Sequence, residues 1–450
     1  MTDRVTLPTP FAKQRNVSIL IKELAPDAPA GIDFLARDGG QTLRHRLRRA
    51  LSLLQSTRRQ RGGWASAVLL KKLVLMKAPM LYRQLHAMAR REAVRAGVRA
   101  ERTAAGQMPY LALVFTGGLG DLLILSRFVR DLQARIGLFR FDLFCSAPGL
   151  ATWALRGIAS FHAAHHDILF DHLAGEYDVA LRVSQFVLVY RVPTTEAALR
   201  QHGELANVVG TIERYRPRIE TYVAHHPWMD NGLARAAVAE GQTRRTYLHH
   251  IAGLRYGGDA LAVPFDRGAV ARFGLTPKQY VTIHNGFDTG FPISGRRATK
   301  CYPHFGAVVA QLKAALPHLT FVQVGVGTSE PIPECDRSLV EKTNLDEVAA
   351  LLRGALLHMD NEGGLVHLAR CLGTRSVVVF GPTPSDYFGY PDNINVDPSF
   401  CGNCWWLART WMDSCVQGYG EARCMTDQDP RVVAERTLAA LQPAQAAVAD

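Results

Sequence analysis

The sequence predicts an α/β protein with two doubly wound, Rossmann-like domains that face each other across a cleft. A strand pattern over residues 110–115 runs into a glycine-rich turn and then a helical pattern over 122–136, which is how a doubly wound domain opens. A second series of the same kind begins at residues 280–284. The chain has 450 residues, too many for one ordinary core, so two domains plus an appendage are expected.

The remaining elements alternate as this fold class requires. Strands are predicted at 141–145 and 179–183, the histidine-rich stretch around 162–172 is expected to be loop and helix, and polar helical patterns fill 210–262. The second half continues as helix, strand, helix, strand and terminal helix, at residues 304–315, 319–324, 345–353, 376–380 and 430–442. The predicted domain boundaries are 106–265 and 266–450. Ligands of open α/β sheets bind at the carboxyl ends of the strands, so the site is expected in the cleft.

The first hundred residues differ in composition from the rest. Residues 1–40 mix Pro, Gly and Asp without periodicity and are predicted to be a poorly ordered lead. Residues 41–105 hold sixteen Lys or Arg but two acids, so this segment accounts for the whole net charge of +12. Apolar residues at helical spacing predict two basic amphipathic helices with a break at Pro79. The apolar positions are Leu43, Leu47, Leu51, Leu54, Leu69, Leu73, Met76 and Met80.

Basic amphipathic helices suit an anionic membrane surface, which is the predicted partner of this segment. The alternative is a pair of solvated helices packed on the body of the protein. Nucleic acid is not expected as a partner, because interleaved aromatic residues and a nucleic-acid motif are missing. The sequence lacks both a signal-peptide pattern and an apolar run of about 18 residues. The expected location is therefore the cytoplasm, with peripheral attachment to the inner face of the cytoplasmic membrane left open.

Eight cysteines are expected to be reduced there, so an ordered cluster suggests a metal before a disulfide. Cys401 and Cys404 form a Cys-x-x-Cys knuckle in the loop 401–424, which also holds Cys415 and Cys424. Four thiolates could bind zinc or iron, and such a site is structural because no coordination position stays open. Four reduced cysteines with packing roles are the alternative.

The turn Gly117-Gly-Leu-Gly120-Asp121 offers a candidate catalytic group. It lacks the G-x-G-x-x-G spacing of a nicotinamide-dinucleotide site, so that class of enzyme is not expected. Asp121 stands at the start of a helix, whose dipole favours an ionised carboxylate. A carboxylate at the cleft can take a proton from an attacking hydroxyl, although an ordinary helix cap is the alternative.

Two turns in the second half suit a diphosphate. Thr299 and Lys300 lie in a loop between a strand and a helix, where a hydroxyl and an ammonium can contact phosphate. Glu362 ends a strand, and Gly363 and Gly364 open a helix whose N–H groups can face a pyrophosphate. Each turn alone could be ordinary loop chemistry, but their coincidence in one half favours a ligand site.

Together these motifs resemble glycosyltransferase family 9, the ADP-heptose:lipopolysaccharide heptosyltransferases. The resemblance covers about residues 110–440. It rests on Gly120-Asp121, Thr299-Lys300-Cys-Tyr-Pro303, Glu362-Gly-Gly-Leu-Val-His367 and Phe380-Gly-Pro-Thr383. The sequence departs from the family pattern at two positions, with Glu362 where Asp is usual and Gly363 where Thr is usual.

The resemblance implies a GT-B architecture and an inverting, single-displacement transfer of a heptose-type sugar from a nucleoside-diphosphate donor, ADP-heptose. The acceptor would be a cell-envelope glycan such as the lipopolysaccharide core. Asp121 would be the general base, and no cofactor is required for transfer. The implied donor-binding residues are Thr299, Lys300, Glu330, Glu362, Gly363, Gly364 and His367.

Two other functions stay open at this point. One is a protein heptosyltransferase acting on autotransporters, which the Cys-x-x-Cys-Trp pattern favours. The other is a non-catalytic scaffold that binds a nucleotide sugar or a membrane.

Overall fold

The computed structural model describes residues 43–446 except positions 191, 193, 289, 290, 292 and 296, so the predicted lead at 1–40 lies outside the described residues. The helices of the first half are α1 Leu43–Ala89, α2 Arg91–Ala105, α3 Leu119–Ile136, α4 Pro148–Leu155, α5 Phe170–Leu173, α6 Thr195–Gln201, α7 Gly203–Ala224, α8 Asp230–Ala239 and α9 Tyr247–Ala252. Its strands are β1 Tyr110–Phe115, β2 Arg140–Cys145, β3 Phe161–His166, β4 Val179–Val183 and β5 Val187–Tyr190.

The first sheet has the strand order β3-β2-β1-β4-β5. Its pairs are parallel except for β5, which runs antiparallel to β4. The chain enters at the central strand β1, moves outward to β3, and returns to β4 on the other side. The carboxyl ends of β1 and β4 therefore form a topological switch point, where open α/β sheets bind their ligands.

The histidine-rich segment is the edge strand β3, so the expected loop and helix is wrong for residues 161–166. Its His162 Nδ1 and His165 Nε2 lie 2.8 and 3.2 Å from the carboxylate of Asp142, which is fully buried in β2. Burial opposes ionisation, but hydrogen bonds from the two histidines and from Tyr177 leave the pKa of Asp142 well below its ordinary value. The strand forms because its polar side chains satisfy a buried charge, which an apolar-periodicity argument does not detect.

The second sheet repeats the plan with six strands in the order β11-β10-β9-β6-β7-β8, all in parallel pairs. Its switch point lies between β6 and β9. The strands are β6 Tyr280–Ile283, β7 Thr320–Gln323, β8 Arg337–Ser338, β9 Leu357–Asn361, β10 Ser376–Val379 and β11 Ile394–Val396. The helices are α10 Ala269–Arg272, α11 Phe305–Ala315, α12 Leu345–Gly354, α13 Gly364–Cys371, α14 Ser385–Phe388, α15 Arg423–Thr426 and α16 Pro430–Ala446.

These two sheets, each doubly wound, confirm the predicted fold class. The predicted boundary at 265/266 falls in the connection between the last helix of the first half and the first strand of the second. The exact limits of the domains stay predictions.

Helix α1 consists of two arms joined at Gly62, which has a φ of 84°. The Ser66 hydroxyl donates to the Leu54 carbonyl at 3.1 Å, twelve residues back, so the arms fold against each other. The predicted break at Pro79 is wrong, because the helix continues through it. Pro79 is exposed, so water can solvate the carbonyl that its missing N–H leaves free. Within the described residues, no helix combines the length and apolar character that a membrane crossing needs.

Candidate active site

Asp121 lies at the third position of α3, directly after the carboxyl end of β1. Its Oδ2 accepts a hydrogen bond from the Gly118 N–H at 3.1 Å, so the carboxylate helps to cap the start of its own helix. A Cβ on Gly117 would lie 2.5 Å from the Asp121 Cβ, which explains the glycine at this position. The Asp121 side chain is 26% exposed.

Arg244 holds the other oxygen of this carboxylate. Its Nη2 and Nε donate to Asp121 Oδ1 at 2.8 and 3.1 Å, and Nη2 also donates to the Ser184 carbonyl at 3.0 Å. Ser184 directly follows β4, so the Arg244 guanidinium bridges the two strands of the switch point. The Arg244 side chain is only 1% exposed, which makes its pairing with Asp121 a buried contact on the arginine side.

Sequence reasoning missed Arg244, because it belongs to no local motif and lies 123 residues from Asp121. Its backbone N–H donates to the Tyr387 carbonyl of the second half at 2.8 Å. One residue therefore fixes the Asp121 carboxylate and ties the two halves together.

The halves meet where α3 and α13 begin. A Cβ on Gly120 would lie 2.4 Å from His367 Cδ2, and a Cβ on Gly364 would lie 3.1 Å from the Leu119 Cβ. Gly120 is therefore required for the two helix starts to approach, and a side chain at position 364 would crowd Leu119. By contrast, a Cβ on Gly363 would meet nothing closer than 3.9 Å, so there is room beside the first N–H groups of α13. Unpaired N–H groups at a helix start favour an anion.

His367 is buried at this junction, and burial lowers the pKa of its imidazole below the ordinary value. The ring is therefore neutral at neutral pH. Its Nδ1 lies 2.7 Å from the Tyr390 hydroxyl, and burial keeps that phenol protonated by raising the pKa of Tyr390. When the phenol donates to Nδ1, the imidazole carries its proton on Nε2, the atom that faces the start of α3.

Lys300 and Glu362, both predicted at the donor site, form a pair with Nζ and Oε2 3.2 Å apart. Their side chains are 14% and 11% exposed. Burial works against the charge, but the Glu362 carboxylate outweighs it and raises the pKa of the Lys300 ammonium. The Asn361 side chain accepts from the Tyr302 N–H at 2.7 Å, which fastens the Lys300 loop to the end of β9.

Two other predicted donor-binding residues have different partners. The Thr299 hydroxyl donates to the Trp411 carbonyl of the cysteine-rich loop, so it must exchange that bond before it can contact a phosphate. Glu330 accepts from Arg297 Nε at 2.8 Å, and its carbonyl accepts from Gln323 Nε2 at 2.7 Å. These contacts hold Glu330 beyond the carboxyl end of β7. The roles of both residues stay predictions.

A buried Asp-His pair lies at the second switch point, and sequence reasoning missed it. His284, directly after β6, has its Nδ1 2.8 Å from Asp360 Oδ1, while His358 Nε2 lies 3.3 Å from Asp360 Oδ2. Burial disfavours the Asp360 charge, but the two histidines leave the pKa of its carboxyl below the ordinary value. Asp360 Oδ2 is also 4.0 Å from where a Gly363 Cβ would stand, so the pair adjoins the start of α13. A histidine as the last residue of the predicted strand 280–284 was the signal available in the sequence.

The four loop cysteines are neighbours, but they do not form the predicted metal geometry. The pKa of the Cys424 thiol is raised, first by burial and then by Cys404, Cys401 and Cys415. Nevertheless, across the described parts of 43–446, no three His, Cys, Asp or Glu side chains are arranged to hold a metal ion. The expected convergence of the four sulfurs on one point is therefore not found. The loop instead docks on the turn after β10, where a Gly381 Cβ would lie 3.3 Å from the Cys424 sulfur.

Two doubly wound sheets place a carboxylate at one switch point and a lysine beside a helix start at the other, and switch points are where such sheets bind ligands. Residues 290–397 match the model of glycosyltransferase family 9 (heptosyltransferase). This match confirms the resemblance to a glycosyltransferase family over that segment.

Three solved structures illustrate the likeness. The ADP-heptose lipopolysaccharide heptosyltransferase II of E. coli is 16% identical, with a TM-score of 0.47 over 75% of this chain and 99% of that chain. A family 9 glycosyl transferase from Veillonella parvula is 12% identical, with a TM-score of 0.47 over 74% and 98%. The iron-containing dodecameric glycosyltransferase TibC from enterotoxigenic E. coli is 17% identical, with a TM-score of 0.46 over 75% and 78%. No curated protein sequence matches the chain.

Proposed function

We propose that the protein transfers a heptose-type sugar from a nucleoside-diphosphate donor, ADP-heptose, to a cell-envelope acceptor such as the lipopolysaccharide core, with inversion at the anomeric carbon. The observation that carries the proposal is the placement of Asp121 against the start of α13. His367 packs on Gly120, the residue before Asp121, so the candidate base and the candidate diphosphate site adjoin across the domain junction. The family match over residues 290–397 supports the choice of sugar.

In this mechanism Asp121 accepts the proton of the acceptor hydroxyl as its oxygen bonds to the anomeric carbon. The bond from that carbon to the diphosphate oxygen breaks in the same step, and the nucleoside diphosphate leaves with the electron pair. Arg244 and the Gly118 N–H each hold one carboxylate oxygen, which fixes the orientation of Asp121 before the substrate arrives. Arg244 is thus a positioning residue.

The donor diphosphate is bound by Lys300 and by the N–H groups of Gly363 and Gly364. The pair between Lys300 and Glu362 supports this assignment, because an incoming diphosphate can displace the carboxylate from the ammonium. Glu362 is then free to accept hydrogen bonds from sugar hydroxyls. The protein groups balance the diphosphate charge, so the transfer itself needs no metal ion.

Four further residues complete the proposed donor site. His367 contributes its Nε2–H, and Glu330 reaches the ribose. Thr299 contacts a phosphate after releasing the Trp411 carbonyl. We add His284, whose Nδ1 is held by Asp360 so that its Nε2 is presented at the carboxyl end of β6.

The cluster of Cys424 with Cys401, Cys404 and Cys415 favours a second candidate, a protein heptosyltransferase whose loop 401–424 binds a structural zinc or iron. Their proximity fits this composition, although the sulfurs would have to move together to share one ion. Acceptor choice separates the two candidates. A non-catalytic scaffold is the remaining alternative, and it requires that no donor be turned over.

A screen of nucleotide sugars by mass spectrometry tests the proposal. Each donor is incubated with the protein and either a lipopolysaccharide-core acceptor or an unglycosylated autotransporter passenger. Transfer from ADP-heptose to the core is the expected result, and transfer only to the passenger selects the second candidate. Turnover of another sugar alone contradicts the proposed donor. Donor binding without turnover, with wild-type protein and with both acceptors, leaves only the scaffold.

A further inference from the structure

Helix α1 is apolar on two opposite faces, and the protein covers only one. Ala65, Leu69 and Leu73 are buried, at 8%, 0% and 7% exposure. Leu69 and Leu73 are two of the positions whose spacing predicted an amphipathic face, so around them that face packs on the protein, whereas Leu51 of the same predicted set is 56% exposed.

The opposite face is a stripe of exposed large side chains, which we call the outer stripe. The side chains of the outer stripe recur at helical intervals of four, seven and eleven, so they share one surface of the helix. They form two adjacent rows, at positions 70, 74, 81, 85 and at 64, 75, 82. The members are Trp64 at 78%, Leu70 at 50%, Val74 at 60%, Leu75 at 65%, Leu81 at 55%, Tyr82 at 70% and Leu85 at 61% exposure. Seven such residues on one helix face exceed the scattered apolar residues of an ordinary surface.

One basic side chain lies in the outer stripe and others are exposed elsewhere on α1. Lys71 is exposed within the stripe, Arg83 is exposed on the same arm, and Arg58 and Arg59 are exposed just before the Gly62 turn. The whole segment 41–105 contains sixteen basic and two acidic residues. An apolar stripe with Trp and Tyr among cations has the composition of a helix lying in a membrane interface.

We propose that the outer stripe docks the protein on an anionic phospholipid surface, with Trp64 and the aliphatic side chains in the interface and the basic side chains on lipid phosphates. Charge decides between this partner and a second copy of the chain. Two copies meeting at the stripe would bring two strongly cationic segments together, whereas an anionic surface attracts the segment. This proposal gives a surface to the membrane attachment that the sequence left open, and it does not depend on the identity of the donor sugar.

Co-sedimentation of the full-length protein with vesicles tests the proposal. Vesicles of phosphatidylcholine with phosphatidylglycerol should bind the protein, added salt should weaken the binding, and phosphatidylcholine alone should bind far less. The double variant Val74→Glu/Leu81→Glu places two charges in the outer stripe without touching the packed face. It should lower the binding to anionic vesicles by about tenfold or more, since each change removes a buried aliphatic side chain from the interface.

The matched control is Leu138→Glu, at an aliphatic residue that is 66% exposed in the loop between α3 and β2. It should bind vesicles as the wild type does. Equal binding by the stripe variant and the wild type would overturn the proposal, as would a wild-type protein that ignores anionic vesicles. Light scattering tests the competing outcome. If the wild type is an oligomer and the stripe variant is a monomer, the outer stripe is a contact between copies of the chain.

Donor turnover with a water-soluble acceptor separates this proposal from the proposed function. Val74→Glu/Leu81→Glu should keep the wild-type rate in that assay. If the wild type binds anionic vesicles but turns over no nucleotide sugar, the docking surface stands and the proposed reaction fails.

Discussion

The Arg244 guanidinium lies 2.8 Å from the Asp121 carboxylate and is itself almost fully buried at the switch point of the first sheet. This contact joins residues that are 123 positions apart in the chain. Because Arg244 also donates its backbone N–H to Tyr387 of the second half, the orientation of the candidate base is coupled to the contact between the domains.

Removing the base and removing its support should have different effects. Asp121→Asn keeps the hydrogen-bonding shape but cannot accept the proton, so we expect kcat to fall by about 10²–10⁴-fold with donor affinity retained. Arg244→Met leaves the carboxylate without its partner, and we expect a loss of about 10²-fold from misplacement. Steady-state kinetics on both variants provide the measurement. Turnover by Asp121→Asn at the wild-type rate would exclude Asp121 as the base.

Arg244→Lys serves as the conservative companion of Arg244→Met. A lysine keeps the charge but cannot hold both Asp121 and Ser184 in the planar geometry of a guanidinium. We expect an intermediate rate and a shifted pH profile of kcat for this variant. If instead both Arg244 variants lose only stability and keep the wild-type pH profile, Arg244 has a purely structural role.

Gly120→Ala should disrupt the junction between the domains. The added methyl would stand 2.4 Å from His367 Cδ2, so the buried imidazole or a helix start must shift to make room. We expect a loss of about 1–3 kcal/mol in the free energy of unfolding, together with loss of transfer. Gly97→Ala is the control, since a Cβ there meets no atom within 4 Å in the interior of α2. That control should be neutral or stabilising by about 0.5–1 kcal/mol in urea unfolding.

Because Lys300 and Glu362 pair with each other, substitutions of the two residues should have opposite effects on ADP binding. Lys300→Ala should weaken ADP by about 10–100-fold, the value of one hydrogen bond to a charged group. Glu362→Gln should strengthen ADP binding, because the ammonium no longer has to leave a carboxylate, while it weakens the intact nucleotide sugar. Titration calorimetry with both ligands measures this. ADP affinities unchanged in both variants would place the diphosphate elsewhere.

His367 should make the protein sensitive to mild acid. Its folded-state pKa is lowered by burial from an ordinary value of 6.5, so the unfolded chain takes up a proton first as the pH falls. The stability that His367 contributes is fully present at a pH above its pKa in the unfolded chain. It is lost as the pH falls through its pKa in the folded protein. His367→Gln should therefore lose less stability than the wild type between about pH 7 and about pH 5 in thermal unfolding. The exposed His86→Gln should behave as the wild type, and an identical loss in all three proteins would contradict the assignment.

Elemental analysis of protein purified without a histidine tag decides whether the cysteine loop 401–424 binds a metal ion. A bound ion predicts about one equivalent of zinc or iron, which chelation should remove with loss of loop stability. Less than about a tenth of an equivalent in folded, active protein would leave Cys401, Cys404, Cys415 and Cys424 as packing residues. Cys145→Ser, outside the loop, should not change the metal content.

Local patterns predicted most of the elements that form the two sheets. The run from β1 through the glycine turn into α3 was found because buried parallel strands and helix starts have local signatures. The edge strand β3 was missed because its polar residues are explained by Asp142, a partner on another strand. The break in α1 was placed at Pro79 rather than Gly62, since a proline signals a break even where exposure allows the helix to continue.

The sequence by itself determined the α/β class, the doubly wound plan and the glycine turns around Asp121 and Glu362, because each depends on residues that are neighbours in the chain. Only the tertiary structure decided which groups those turns meet. It brought Arg244 to Asp121, His284 to Asp360 and His367 to Gly120, and it engaged the Thr299 hydroxyl with the cysteine loop. It also decided which face of α1 packs and which stays exposed. Helical periodicity gives the direction of a side chain from its helix axis, whereas burial depends on what other segments place against that side.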